Sequence, residues 1–266
     1  MGNFVKELYG NRSLIFRLAK NDFKKRFAGS YFGMVWVFVQ PVITMLLYWV
    51  VFQVIFMSGA WNGYPYVLGL ITGLVPWFYF SESFCAATDS LAEYSYLVKK
   101  VVFQIQILPV IKMVSTLFVH LFFLCFTALA FAVNGYLPTV YLLQAVYYLA
   151  AMMLFVLGLS YLTSALSVFI KDLVQIIQIW MQVWMWLTPI LWNIGQLPQQ
   201  YQSYDLWLKL NPLYYIIQGY RDAFMNHVWF WEHPVYTIYF WAVVLFMLLL
   251  GRKIFRRLQP HFADVL

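Results

Sequence analysis

The amino-acid sequence predicts an all-α integral membrane protein with six transmembrane helices. Of its 266 residues, 64% are hydrophobic and only 10% are charged, and the mean hydropathy is +0.73, which is unlike a soluble domain. The apolar runs approach the ~20 residues that a helix needs to cross the bilayer core, whereas a membrane β-barrel uses strands of ~10 residues with alternating polarity. We therefore expect a single helical unit over residues 1–266.

The N-terminal segment, residues 1–31, stays charged and has no short apolar core of the kind found in cleavable signal peptides, so we expect the first span to be retained. At 100° per residue, four apolar residues share one side of a helix and three cations point elsewhere. These residues are Phe16, Ala19, Phe23 and Phe27 on the apolar side, and Arg17, Lys24 and Lys25. This pattern predicts an amphipathic helix in the membrane interface. A simple positive anchor for the first span is the alternative.

Six apolar runs follow the N-terminal segment. The predicted spans are residues 32–57, 66–87, 108–133, 139–169, 174–194 and 235–251. An even number of spans puts both termini on one side, where fifteen Lys and Arg residues lie, against only Lys209 and Arg221 on the other. The positive-inside rule makes that side cytoplasmic. Since the charges lie at span ends, topology and anionic lipid headgroups account for the net charge of +7, and no nucleic-acid partner is predicted.

Two segments between the spans have their own patterns. The stretch "TDSLAEYSYLVKK", residues 88–100, is polar and cytoplasmic in this topology. An apolar ridge recurs there at helical spacing with charges beside it: Leu91, Tyr94 and Leu97, with Glu93, Lys99 and Lys100. Residues 195–234 are too apolar for a free loop and are interrupted by Pro212 and Gly219, which predicts short re-entrant helices on the external side.

Polar side chains recur inside two of the spans. In the fifth span, six residues fall within about 80° of one helix face: Gln175, Gln178, Gln182, Trp186, Pro189 and Asn193. Unpaired amides are costly in hydrocarbon, so this stripe must face a neighbouring helix, a second subunit or a conduit. Tyr79, Glu82 and Ser83 form a weaker polar face on the second span. We assign these residues to the lining of a conduit, with a subunit interface as the alternative for the stripe. An aromatic content of 21% is compatible with a carbohydrate in such a conduit, although aromatic residues also pack ordinary helix bundles.

Catalytic and metal sites are not predicted. Glu82 and His120 are ionisable groups inside spans, which is a functional signal, but neither has a partner at helical spacing, and no zinc-protease or serine-hydrolase motif occurs. A membrane-embedded transferase that uses Glu82 or His120 as a base, and a proton-coupled transporter that uses Glu82, remain alternatives. No phosphate-binding loop occurs either, so ATP hydrolysis by that route needs another protein.

Four stretches, in this order, resemble the membrane subunit of type-2 ABC exporters for polysaccharides and teichoic acids. They are "RLAKNDFKKRFAGSYFGMVWVFVQP" (17–41), "EYSYLVKKVVFQIQILPV" (93–110), "FIKDLVQIIQIWMQVWMWLTPILW" (169–192) and "LNPLYYIIQGYRDAF" (210–224). The resemblance implies a non-catalytic half-transporter in the bacterial cell membrane. It pairs with a second copy and with two ATP-binding cassette subunits, which hold ATP and Mg²⁺; this chain itself holds no cofactor.

The resemblance also implies roles for particular segments. Residues 88–103 correspond to the coupling helix that seats in the ATPase, and Arg17 to Phe27 correspond to the gate helix beside the substrate entrance. The substrate is a glycan on an undecaprenyl-pyrophosphate carrier, with teichoic acid favoured and an O-antigen-type polysaccharide next. Lys24, Lys25 and Arg26 are then candidates to attract the pyrophosphate, although positive charge that only orients the chain explains them equally well.

Overall fold

The protein is built from helices. A computed structural model describes residues 9–26, 31–57, 59–99, 104–193 and 205–266. The helices are α1 (Arg12–Lys25), α2 (Val35–Trp49), α3 (Tyr66–Glu93), α4 (Ser95–Val98), α5 (Leu108–Val133), α6 (Gln144–Ser167), α7 (Leu173–Leu187), α8 (Asp205–Lys209), α9 (Pro212–Arg221), α10 (Pro234–Leu258) and α11 (Phe262–Val265). Within the described ranges the only β-type pairing is a bridge between Trp61 and Tyr64. The predicted all-α class is confirmed.

Five helical stretches are long and apolar enough to cross a membrane. They are Val35–Ile55, Tyr66–Glu93, Ile105–Val133, Val140–Ser167 and Pro234–Val265. Each overlaps a predicted span, and the largest differences lie at the ends of α10 and α3. We expected the sixth span to end at residue 251, but α10 continues to Leu258. We expected the second span to end at residue 87, but the helix continues to Glu93, so half of the polar stretch that begins at residue 88 belongs to the span helix itself.

The fifth predicted span, 174–194, is shorter than expected. Helix α7 has 15 residues, or roughly 22 Å at 1.5 Å per residue, against a hydrocarbon core of about 30 Å. Thr188 has extended backbone angles (φ −92°, ψ 134°), because a following proline disfavours the helical conformation. The chain after Pro189 turns inward, and Ile190 and Leu191 are buried. A helix that crosses the whole bilayer here is therefore not observed.

Helix α3 forms the centre of the bundle. In its most apolar window 78% of residues are buried, against 6% for α2 and 17% for α10. Helices α5, α6 and α9 all pack against it. Helices α6 and α10 cross closely at two glycines, where a Cβ on Gly251 would lie 2.3 Å from the carbonyl oxygen of Gly158. Small residues allow such an approach between membrane helices. The exposed faces of α2 and α10 are left for lipid or for other subunits.

The ends of α3 define two ends of the molecule, roughly 42 Å apart for its 28 residues. At one, Tyr94 donates a hydrogen bond to Asp22 of α1. At the other, Tyr66 donates one to the carbonyl of Leu191. We call the first, which includes α1 and α4, the charged end. The second, which includes residues 61–66, α9 and residues 222–233, is called the aromatic end.

Candidate functional site

Helix α1 lies along α5 at the charged end. Its most buried residues are Ile15, Ala19 and Asp22, and the ring of Phe23 meets that of Phe118 edge-on at 5.7 Å. The buried side of α1 thus contains a carboxylate among apolar residues. A buried charge needs a partner, so the surroundings of Asp22 are the first place to look for a functional arrangement.

The predicted apolar side of α1 is only partly buried. Ala19 and Phe23 pack against the bundle, whereas Phe16 is 53% exposed, and Phe27 lies outside the described residues. The exposed cations of this helix include Arg17, Lys24 and Lys25. These cations are exposed, but the Phe16 ring also meets the Phe118 ring of α5 edge-on at 5.8 Å. A position of α1 in the membrane interface stays a prediction.

Asp22 belongs to a cluster of charges that joins three helices. The side chains of Asp22 and Lys112 are only 2% and 3% exposed, and the Lys112 Nζ lies 2.5 Å from Asp22 Oδ1. The same Nζ lies 2.6 Å from Oε2 of Glu93, and the Tyr94 hydroxyl donates to Asp22 Oδ1 at 2.7 Å. With Arg26 and Glu82, described next, we call these residues the Asp22 network. It fixes α1 to α5 and to the end of α3.

Ionisation of Asp22 follows from these partners. Burial raises the pKa of the carboxyl group, but hydrogen bonds from Lys112, Ser115 and Tyr94 outweigh burial and hold the pKa below its ordinary value of 3.8. The pKa of the Tyr94 hydroxyl is raised, first by burial and then by the hydrogen bond to Asp22. Asp22 is therefore a carboxylate and Tyr94 a neutral donor at physiological pH.

Arg26 carries the network to a groove between α2 and α3. Its guanidinium forms an ion pair with Glu82, and its Nε lies 3.7 Å from Asp22 Oδ2. Glu82 lines the groove, which has a volume of about 310 Å³. The other lining residues are Trp36, Val37, Gln40, Pro41, Thr44, Phe78 and Ser81. The groove combines an apolar wall with hydroxyl, amide and ionic groups, which is suited to a lipid with a polar head.

The predicted coupling segment presents a different surface from the one expected. Leu91 and Tyr94, which we expected to form an apolar ridge for a partner, are buried in this chain. Tyr96 is 53% exposed and the Glu93 side chain 50% exposed. Leu97 is half-buried and Lys99 exposed, and Lys100 lies outside the described residues. The physical reason is the extension of α3 to Glu93, which turns Leu91 toward the core.

The predicted conduit residues divide into two groups. Tyr79 and Ser83 are buried inside the bundle, where the Tyr79 hydroxyl donates to the carbonyl of Met113 at 3.3 Å, so in this conformation they line no open path. The residues of the stripe that remain on α7 are all exposed: Gln175, Gln178, Gln182 and Trp186. The amides of the three glutamines have no hydrogen-bond partner in the described part of the chain. These glutamine amides therefore do not face a neighbouring helix in the described part of this chain.

The remaining two residues of the stripe lie beyond α7. Pro189 is buried and ends the helix, and Asn193 donates to the Asn62 side chain at 3.2 Å. The turn at Thr188 is held from α9, since Asn211 Nδ2 donates to Thr188 Oγ1 at 2.8 Å. The expectation of one continuous helical stripe from 175 to 193 is therefore wrong, because the helix does not continue past Leu187.

The motifs "LTPI" and "NP…YR" meet at this turn. Asn211 caps α9, as its Oδ1 accepts a hydrogen bond from the Leu213 amide at 3.0 Å, and Pro212 takes the first helical position, where no amide hydrogen is needed. The buried Arg221 donates to the carbonyl of Ile190 at 3.1 Å. These contacts give the two motifs a structural role. They hold the turn after α7 and satisfy a backbone carbonyl there that has lost its helical hydrogen-bond partner.

His120 has the structural environment that its isolation in the sequence suggests. It is buried, and its Nε2 lies 2.8 Å from the hydroxyl of Tyr220. Glu82 lines the same small cavity as His120, but its carboxylate is paired with Arg26. No group of three metal-ligating side chains occurs within the described ranges. The arrangement offers ion pairing and hydrogen bonding rather than a nucleophile with its base.

Asp22 and Lys112 are the residues that sequence reasoning missed. By sequence, Lys112 is only one of the fifteen Lys and Arg residues on the cytoplasmic side, and Asp22 belongs to no predicted site. A signal was present, because Asp22 follows Ile15 and Ala19 at intervals of four and three residues and therefore shares their face. A carboxylate on the apolar face of a short helix requires a cation from elsewhere in the chain.

Comparison with known proteins agrees with this architecture. Residues 13–225 match the model of the ABC-2 type transporter family. An O-antigen export system permease protein, RfbA, of Myxococcus xanthus is 28% identical over 264 residues, which covers 99% of each chain. The RfbA permease of Klebsiella pneumoniae is 29% identical over 261 residues, 95% of each chain. Because the family model covers most of its length, including α1, the Asp22 network and the break in α7, this chain belongs to the ABC-2 type transporter family.

Proposed function

We propose that this chain is the transmembrane subunit of an ATP-driven exporter for a cell-envelope glycan. The observation that carries the proposal is its similarity, over nearly the whole length, to permeases named for O-antigen export. An O-antigen-type polysaccharide on an undecaprenyl-pyrophosphate carrier is therefore the first candidate substrate. Teichoic acid, which the sequence favoured, becomes the second, since no relative described above is named for it.

The proposed topology has six crossings with both termini in the cytoplasm. Helix α7 is too short to cross alone, and the inward turn at Pro189 together with α8 and α9 completes the outer half as a re-entrant region. The charged end is then cytoplasmic, since it contains α1 and the positive segments near Lys99. The aromatic end, which includes α9, is external. The protein resides in the bacterial cell membrane.

Two features support the proposed partners. The exposed amides of α7 cannot face lipid without cost, which favours a second copy of this chain, with the glutamines at the interface or along the conduit between copies. The sequence has no phosphate-binding loop, so ATP and Mg²⁺ belong to a separate ATP-binding cassette subunit, two copies for two permeases. Glu93, Tyr96 and Lys99 form the exposed surface through which the segment after α3 meets that subunit.

The groove between α2 and α3 is the proposed entrance for the lipid-linked head group. Arg26 at its edge is held by Glu82 and Asp22, so a pyrophosphate must compete with two carboxylates for the guanidinium. Phosphate oxygens form strong, bidentate pairs with arginine. The exposed Lys24 and Lys25 add positive charge along the approach. The head group then replaces Glu82 as the partner of Arg26.

Reconstitution tests the function directly. The permease, co-purified with its ATPase, is placed in liposomes with an undecaprenyl-pyrophosphate-linked O-antigen-type glycan, and glycan protected inside the vesicles is measured. We expect movement only with hydrolysable ATP. Arg26→Gln should slow it by about tenfold, the value of one charge-assisted hydrogen bond, whereas the exposed Lys20→Gln on the same helix should not. Glycan movement by the permease alone would refute the proposal.

Disulfide cross-linking tests the paired arrangement. In a background with Cys85 and Cys125 replaced by alanine, Gln178→Cys is compared with Ile177→Cys, whose side chain is buried in its own subunit. We expect oxidation to give covalent dimers from Gln178→Cys and none from Ile177→Cys. Monomers from both variants, in a complex that still exports glycan, would place the stripe away from the interface.

A further inference from the structure

A pocket at the aromatic end plays no part in the function proposed above. Its volume is about 150 Å³. It lies among α6, α9 and the start of α10, with four tyrosines and four polar residues in its wall. The lining residues are Tyr148, Lys209, Tyr214, Tyr215, Gln218, Asp222, His233 and Tyr236. We call this site the tyrosine pocket. Small pockets with aromatic walls and a few convergent polar groups are typical binding sites.

Asp222 gives the pocket a hydrogen-bond acceptor. Its side chain is only 3% exposed, and its Oδ1 accepts hydrogen bonds from Gln218 Nε2 at 3.0 Å and Asn226 Nδ2 at 2.7 Å. His233 Nε2 lies 3.9 Å from Oδ2, which is beyond hydrogen-bond distance, and no hydrogen bond to Oδ2 is found among the described residues. One carboxylate oxygen is therefore oriented by two amides, and the other is left to accept a hydroxyl donor.

The aromatic wall is rigid on one side and accessible on the other. Tyr148 and Tyr215 are buried, with ring centroids 5.4 Å apart, and Tyr215 stacks on Phe240 at 4.7 Å. Gly219 leaves room for this wall, since a Cβ there would lie 2.1 Å from the Tyr148 ring. The other two tyrosines, 214 and 236, are only half-buried. A flat ligand in the pocket would thus contact two buried, tightly packed tyrosine rings, with two partly exposed tyrosine rings beside them.

A line of amides connects the pocket to the end of α7. Asn193 donates to Asn62 Oδ1 at 3.2 Å, Asn62 donates to Asn226 Oδ1 at 3.4 Å, and Asn226 donates to Asp222. Asn62 has a positive φ of 50° in the tight turn that Trp61 and Tyr64 close, a conformation that asparagine tolerates well. Amides donate and accept equally, so this line suits a ligand rich in hydroxyl groups.

We propose that the tyrosine pocket binds one sugar ring of the exported glycan on the external side of the membrane. The inference rests on the proposed function and adds a subsite to it. A pyranose has apolar faces that stack on tyrosine rings and hydroxyls that donate to Asp222 and Gln218. A phosphate group fits less well, because the Asp222 carboxyl group lies in the wall and the Lys209 cation has to offset its charge.

Saturation-transfer NMR on the detergent-solubilised permease–ATPase complex tests the site. The probes are the methyl glycosides of glucose, mannose, galactose and rhamnose. We expect saturation of the ring protons of at least one glycoside, reduced about five- to tenfold in Tyr236→Ala and in Asp222→Asn, as for the loss of one stacking contact or one charged acceptor. Trp231→Ala, an exposed aromatic outside the pocket wall, should keep the full signal.

The outcomes separate the two proposals. No saturation of any glycoside, equal saturation in all variants, or displacement of the sugar by inorganic phosphate would overturn the sugar subsite. Tyr236 is half-buried at the edge of the pocket, so Tyr236→Ala keeps the test valid where Asp222→Asn fails to fold. ATP-dependent glycan movement in liposomes, measured with the same preparations, reports on the exporter itself. ATP-dependent export without saturation of any sugar would support the proposed exporter function and refute the proposed sugar subsite.

Discussion

The pairing of Asp22 with Lys112 allows a quantitative prediction, because both side chains are buried, Lys112 is the cation nearest to Asp22, and Lys112 has a second carboxylate partner in Glu93. Removal of one partner from a buried ion pair leaves an uncompensated charge and costs about 3–5 kcal/mol. Lys112→Met does this to Asp22, which then keeps the hydroxyls of Tyr94, at 2.7 Å, and of Ser115, together with the more distant Arg26 at 3.7 Å. Asp22→Asn leaves Lys112 paired with Glu93 at 2.6 Å, so its cost should be closer to ~1–3 kcal/mol.

The assay is a double-mutant cycle on the free energy of unfolding, with SDS as denaturant in mixed micelles. The double variant, Asp22→Asn with Lys112→Met, buries no lone charge, so it should be less destabilised than the sum of the single variants by ~1–3 kcal/mol. Lys24→Met, which removes an exposed lysine from the same helix, is the control and should change stability by less than about 0.5 kcal/mol. A cost for Lys112→Met no larger than for Lys24→Met, or additive single effects, would refute the pairing.

Three further predictions follow from particular contacts. The pKa of Asp22 lies below its ordinary value of 3.8, so the stabilising contribution of Asp22 should be complete above about pH 4 and should be lost as the pH falls through the lower, folded-state pKa. Measurements of the free energy of unfolding from pH 8 to pH 3 check this, and a loss that begins near pH 6 would contradict it. Gly251→Ala should destabilise the protein by ~1–3 kcal/mol, because the added methyl group forces α10 away from α6. Gly10→Ala, where no atom lies near the added Cβ, should not; equal melting temperatures for the two variants would contradict the close crossing. Asn211→Ala removes the cap of α9 and the hydrogen bond to Thr188, so the free energy of unfolding should fall by ~1–2 kcal/mol and proteolysis near residue 189 should accelerate. An unchanged cleavage rate would argue that the Asn211–Thr188 hydrogen bond does not hold the turn.

Hydrophobic length predicted most of the fold. The spans at 108–133 and 66–87 begin where α5 and α3 begin, because a run of some twenty apolar residues has few alternatives to a helix in a membrane. The end of α3 was misplaced for an equally physical reason. The polar residues at 88–93 predict that the span ends before them, but Thr88 and Ser90 donate hydrogen bonds back to carbonyls of their own helix, and Leu91 is buried in the core.

Helical spacing predicted the amide stripe but not its length. A projection at 100° per residue assumes a continuous helix, and the proline at 189 breaks that assumption by constraining the backbone of Thr188. The exposure of Gln175, Gln178 and Gln182 follows the projection well, since all three remain on α7. The Asn193 side chain instead hydrogen-bonds Asn62, which is 131 residues away in the sequence. Such a contact follows from tertiary structure alone and leaves no local pattern.

The place of Asp22 on the apolar face of α1 can be read from the sequence, but its partners cannot, because they come from other helices. The composition of the Asp22 network suggests why it is present at all. A buried ion pair rarely stabilises a protein more than apolar residues of similar size would, so its presence points to a geometric role. Lys112 binds one carboxylate on α1 and one at the end of α3 with a single ammonium group. Glu93 is half-exposed on the surface that we assign to the ATPase, whereas Asp22 is buried beside the groove. A partner that displaces Glu93 would therefore change the charge balance at Asp22 and Arg26 without touching either residue, which links the proposed ATPase surface to the proposed substrate entrance.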